Sequence, residues 1–240
     1  MPPPRPPDIG PKVDPAPPAP PKASPPAANS QPPAVEAKQP AGDPAQPGES
    51  ACLRTLRAVH GDRVKVSTAR MPADPGCAVV DPVVVTALAL RKEAGAGEVA
   101  FEPPVTIGCA MALRVSEWLD TSVQPLAQGH FERDIAALRV GGGHECRRRN
   151  RGTAGPLSEH STGQALDIFA FQLGKTKQET VTVVVEKPGG LVQDRFLTAI
   201  RQSACGAFNT SLGPGADAAH ANHLHVDIQE RRSRATRFCQ

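Results

Sequence analysis

Two short segments hold most of the side chains able to do metal or acid-base chemistry: Ser158-Glu-His-Ser-Thr-Gly-Gln-Ala-Leu-Asp167-Ile168 and His220-Ala-Asn-His-Leu-His-Val-Asp227-Ile228. Four of the seven histidines fall in them, a density that points to a site. Read as a strand, the second segment puts His223, His225 and Asp227 on one face and sends Leu224, Val226 and Ile228 to the core, because alternate residues of a strand face opposite ways. In the first segment His160 and Asp167 would stand roughly 23 Å apart if the chain were fully extended, too far to share one ion. The gap closes if His160 lies on a loop and Gly163 lets the chain turn into a strand starting near Gln164. Ala165, on the same face as Asp167, leaves room beside it. A carboxylate and two or three histidines on neighbouring elements form a zinc site, and three protein ligands leave a fourth position to water.

The elements that must position these residues follow from periodicity. Leu53, Leu56 and Val59 mark a short helix from Ser50, ended near Gly61. Cys77 to Val85, with Pro82 inside, reads as strand, turn, strand, and Val99 to Val105 as an extended segment broken by Pro103-Pro104. Met111, Leu113, Val115, Trp118 and Leu119 line one face of a helix from Cys109 to about Leu126. Phe131 to Val140 is expected as a strand, with Gly141-Gly142-Gly143 as the turn after it. Gln164 to Phe171 and Thr180 to Val185 read as strands joined through Gly174 to Gln178, and a helix spans Leu191 to Phe208. The mixture implies an α+β domain, a mostly antiparallel sheet with flanking helices and a zinc site on the sheet.

Composition bounds the remainder. Eighteen of the 27 prolines lie in the first fifty residues, among Ala, Gln and Ser. Residues 1–49 are therefore expected to be a disordered Pro/Ala-rich linker with polyproline II character, and residues 50–240 the folded domain. At about 3.1 Å per residue such an arm could span roughly 150 Å and carry the domain away from a membrane. A net charge of +3, one Trp and seven Phe offer neither the basic face nor the stacking platform of a nucleic-acid reader. All six cysteines lie in the domain without a Cys-x-x-Cys pair, which favours disulfides and an oxidising compartment, the periplasm or cell envelope. Sequential pairing is expected: Cys52 with Cys77, Cys109 with Cys146, Cys205 with Cys239. The chain shows neither a transmembrane segment nor a visible export signal, so an export segment is expected upstream of Met1.

The region from about Cys52 to Cys239 resembles the extensin-like C-terminal domain of bacterial proteins. The resemblance is carried by Gly76-Cys77-Ala-Val-Val-Asp-Pro82, Cys146-Arg147, Ser158-Glu-His160 and Arg237-Phe-Cys239. That family is similar in turn to the zinc peptidases that include D-alanyl-D-alanine carboxypeptidases, murein endopeptidases, lysostaphin and the hedgehog amino-terminal domain. Their pattern, His-x-x-Gly-x-Ala-x-Asp followed by His-x-His, is complete in His160, Gly163, Ala165 and Asp167, then His223 and His225. The resemblance implies that His160, Asp167 and His225 bind Zn2+ and that His223 assists catalysis. Arg147 resembles an arginine that such peptidases place near the substrate, a candidate to bind an oxyanion or a carboxylate. Glu159, Asp227 and Ser158 are candidates to orient the histidines.

One departure bears on mechanism. Carboxypeptidase branches have a Glu three residues before His-x-His, where this chain has His220, as the penicillin-insensitive murein endopeptidases do. An imidazole titrates near neutral pH and can exchange the same proton, and the division of labour between His220 and His223 stays open at this stage. The implied activity is zinc-dependent hydrolysis of D-amino-acid peptide bonds in peptidoglycan peptide stems, a DD-endopeptidase on murein cross-links or a DD-carboxypeptidase. The rival reading is a non-catalytic, zinc-containing cell-wall binding or structural module. His60, His130 and His144 have no comparable company and are read as structural.

Overall fold

Ser50 opens the first helix: its Oγ accepts a hydrogen bond from Leu53 N at 3.2 Å and satisfies a donor the helix itself leaves unpaired. The computed structural model describes residues 49–70, 72–91, 97–174, 179–230 and 237–240. The Pro-rich arm, apart from Glu49, lies outside the described residues, as do 175–178 of the expected hairpin connection.

From that cap run α1 (Ala51–His60), β1 (Val64–Val66), β2 (Pro82–Ala89), β3 (Glu98–Gly108) and α2 (Cys109–Trp118). A π-type turn at Leu119–Val123 leads into α3 (Gln124–Phe131), then come β4 (Ile135–Gly142), β5 (Ala165–Leu173), β6 (Val181–Val184), α4 (Leu191–Ala207), β7 (Thr210–Leu212), β8 (Leu224–Asp227) and β9 (Phe238–Cys239). The strands form one sheet in the order β1-β2-β3-β4-β5-β8-β7-β9, with β6 also paired to β5. Buried Trp118 packs edge-on against Phe171 and Phe208, its Nε1 donating to Ser203 Oγ at 2.9 Å, and so ties α2 to β5 and α4.

The α+β class agrees with expectation, but the sheet is mixed. β3 and β4 run parallel, as do β7 and β9. The reason is the connection: α2 and α3 make a helical crossover between β3 and β4, the kind of link parallel neighbours require. Further corrections are local. Phe131 ends α3 instead of starting a strand, and Gly141 and Gly142 belong to β4, not to a turn. The expected break at Pro103-Pro104 is a gap in the pairing of β3 with β2, between Ala100 and Val105, within one continuous strand. Short β1, β7 and β9 were not anticipated.

Three disulfides close the fold, Cys52–Cys109, Cys77–Cys146 and Cys205–Cys239. Only the last follows sequential pairing. Helix α1 packs on α2, which sets Cys52 beside Cys109 with Cα atoms 6.1 Å apart. Cys77 sits against the loop after β4, where the ring of His144 is within 3.2 Å of its carbonyl oxygen. No helix among the described residues is long and apolar enough to cross a membrane.

Candidate metal centre

The middle of the sheet carries the site. β5 lies between β4 and β8, and the register sets Asp167 opposite Gly142 on one side and opposite His225 on the other. The β4–β5 register skips Phe169 between Ile168 and Ala170, a β-bulge that re-phases the strand. Leu166 and Ile168 before it, and Phe171 and Leu173 after it, all join the core, while Asp167 and Phe169 line a cleft. On β8, Leu224 and Val226 are core residues, while His225, Asp227 and, just before the strand, His223 line the same cleft, the alternation expected from the sequence.

His160 arrives from a 3-10 turn, Glu159–Thr162, whose N-cap Ser158 accepts from His160 N at 3.4 Å. Gly163 ends the turn at φ 66°, and an added Cβ there would lie 2.7 Å from Val79 and 2.8 Å from Gly108 N. Only glycine satisfies both the left-handed backbone and the close approach. The turn brings His160 Nε2 to 3.2 Å from Asp167 Oδ1 and 3.2 Å from His225 Nδ1, while His225 Nδ1 stands 2.8 Å from Asp167 Oδ1.

These three residues are buried and offer donor atoms that converge on one point. Their outer nitrogens are engaged: His160 Nδ1 donates to Gly143 O at 2.8 Å, and His225 Nε2 faces Asp227 Oδ2 at 3.4 Å. With those protons placed outside, two imidazole lone pairs and a carboxylate point at one another, an arrangement that requires positive charge between them. Asp167 and His225 register the same demand. A proton in that place has the same effect: burial opposes ionisation of Asp167, but His160 and His225, when protonated on the nitrogens that face it, donate to its carboxyl and hold it well below the usual range. Burial likewise opposes charge on His225, yet bonding to Asp167 and Asp227 raises it to about 9. A tetrahedral ion with bonds of about 2.0–2.1 Å separates its ligands by about 3.3 Å, which the two 3.2 Å spacings of His160 match, while the 2.8 Å between His225 and Asp167 is tighter. The donor set therefore fits zinc.

Around the triad is a cleft of about 540 Å³. His223 sits on the Phe169 ring, with its Nε2 3.4 Å from Asp167 Oδ1 and its Nδ1 2.9 Å from Asn222 Oδ1. Burial, before any charge effect, lowers its pKa. His220 ends the 3-10 turn Ala218–His220, its ring centroid 5.4 Å from those of His223 and His225. Arg147 lines the cleft, but its Nε donates to Glu145 at 2.8 Å and Arg151 grips the same carboxylate.

Of the residues expected to orient histidines, Asp227 contacts His225 and Ser158 caps the turn of His160. Glu159 instead pairs with Arg149. Asp217, whose Oδ1 accepts from His220 Nδ1 at 2.7 Å, was not expected from the sequence, nor were Asn222, Glu145 and the carbonyl of Gly143. Asp217 had a legible signal in Asp217-Ala-Ala-His220, since a three-residue spacing closes across one helical turn. The Gly143 carbonyl has none, because a backbone oxygen leaves no trace in residue type.

Neither the curated proteins nor the solved structures contain a match to the chain. The family model described as extensin-like protein C-terminus matches residues 50–240, from the cap of α1 through β9 and every residue of the cleft. The chain therefore belongs to the extensin-like protein C-terminus family.

Proposed function

We propose that the chain is a zinc-dependent peptidoglycan peptidase that hydrolyses D-amino-acid peptide bonds, acting as a DD-endopeptidase on murein cross-links in the periplasm or cell envelope. The observation that carries this reading is the convergence of His160, Asp167 and His225 within 3.2 Å of one another at a cleft, with two further histidines beside them. When bound there, zinc supplies Lewis-acid polarisation of a carbonyl and makes water acidic enough to attack at neutral pH.

The chain's own groups supply the rest. His220 and His223 hold or move protons at the edge of the triad. Arg147, steadied by Glu145, presents a cation on the cleft wall suited to a substrate carboxylate or a developing oxyanion. Phe169 fixes the tilt of His223 by ring contact at 5.2 Å. Three disulfides suit an oxidising compartment.

Digestion of purified murein sacculi with and without a chelator, followed by muropeptide profiling, tests the reading. Chelator-sensitive loss of cross-linked muropeptides is expected. Loss of only the terminal D-amino acid would reassign the chain as a DD-carboxypeptidase. An unchanged profile with the protein pelleting on sacculi would support a wall-binding module instead.

A further inference from the structure

A general base must turn a lone pair toward the reacting atoms, and both His220 and His223 stand close enough to compete for that part. We infer that Asp217 is the positioning residue that makes His220, not His223, the proton acceptor of the site. The inference rests on the peptidase reading above.

Asp217 Oδ1 accepts three hydrogen bonds: from Ala219 N at 2.8 Å, from His220 N at 3.0 Å and from His220 Nδ1 at 2.7 Å. The first two anchor the carboxylate to the backbone of the turn Ala218–His220, so the third is made from a fixed platform. A carboxylate only accepts, hence Nδ1 carries the proton and, in the neutral ring, Nε2 keeps the lone pair. His220 lines the cleft, and Nε2 is the nitrogen this leaves for a substrate or water.

His223 has the opposite surroundings. Its Nδ1 faces Asn222 Oδ1 at 2.9 Å and its Nε2 faces Asp167 Oδ1 at 3.4 Å, so both nitrogens look at oxygen acceptors. With an oxygen facing each nitrogen, the ring turns no lone pair toward the reacting atoms, and its N–H is suited to hydrogen-bonding an oxyanion. The triad obeys the same logic, since Gly143 O and Asp227 fix the outer N–H of His160 and His225. Asp217 does for the base what those acceptors do for the ligands.

The test uses the full chain loaded with zinc, and the variants Asp217→Ala, Asp217→Asn and Asp217→Glu. Long-range 15N–1H NMR, with His220→Gln to assign the ring, reads the tautomer without any substrate. Steady-state cleavage of a purified cross-linked muropeptide gives kcat and KM, and metal analysis gives zinc content. The wild-type ring is expected as the Nδ1–H tautomer, and Asp217→Ala is expected to populate Nε2–H. Its kcat should fall at least about tenfold, less than the roughly 10²- to 10⁴-fold a general base contributes because the His220 imidazole itself remains, with KM and zinc content unchanged, and Asp217→Glu should restore part of the loss. Asp217→Asn keeps an oxygen for the backbone bonds of the turn and so guards against a folding artefact. An Nε2–H tautomer in the wild type, or unchanged kcat in Asp217→Ala, overturns the inference. Failure of every form to cleave, with the tautomers as expected, instead sinks the peptidase reading and the base role with it.

Discussion

Gly142 stands opposite Asp167 across β4 and β5, and a methyl group there would press on the carboxylate. A Cβ on residue 142 would lie 2.7 Å from Asp167 Oδ2, 3.3 Å from its Cγ and 3.3 Å from His160 Cε1. The backbone at Gly142 is not in the left-handed region, so Gly142→Ala adds bulk without backbone strain. An ordinary carbon–oxygen contact is about 3.4 Å or more, so Oδ2 must retreat by about 0.7 Å. Rotating the carboxyl that far swings Oδ1 away from the point it shares with the two imidazoles. Disturbing the groups that orient metal ligands costs about 10- to 100-fold in affinity, and the same loss is expected here. Competition against a chromophoric zinc chelator would measure it, with circular dichroism confirming the fold. Wild-type zinc affinity in a folded Gly142→Ala protein would refute the placement of Asp167 in the metal site.

Stability should depend on pH through His60, far from the cleft. Burial first, then the positive Arg91 and Arg63, lower its pKa from 6.5 to about 4, and its Nδ1 accepts from Ala89 N at 3.0 Å. The unfolded chain therefore takes up the proton first. Stability is full above pH 6.5, falls as pH drops toward 4 and levels off below, a loss of about 3 kcal/mol. Urea melts of wild type and His60→Asn at pH 7 and pH 4.5 would show it, and parallel losses in the two proteins would count against it. Removing the Cys77–Cys146 bridge, which closes a separation of 69 residues, should cost about 4 kcal/mol by loop entropy. Denaturant unfolding of Cys77→Ser/Cys146→Ser measures that cost, and a change below 1 kcal/mol would show that other contacts already restrain the loop.

Much of the site could be read before the fold was known because its signals are chemical and local. Gly163 announced the turn that joins His160 to Asp167, and the alternation from His223 to Asp227 told which side chains share the cleft. What could not be read depends on neighbours distant in the chain. Gly141, Gly142 and Gly143 looked like a turn because three glycines lack a period. They are glycine because Phe169, Asp167 and Val105 occupy the space a side chain would need. The bulge at Phe169 is equally silent, since it is a property of two paired strands. The parallel pairing of β3 with β4 was available in principle, because a secure helical stretch lay between two extended runs. Disulfide partners depend on which elements pack together, and chain order gave only Cys205 with Cys239.

The proposed centre is one ion held by three side chains. Metal analysis of the purified full chain, beside folded His160→Ala, Asp167→Ala and His225→Ala proteins, tests that claim most directly. The expected result is one zinc per wild-type chain and none retained stoichiometrically by any variant. A wild-type chain that takes up no zinc, or a full equivalent retained by the variants, would contradict it.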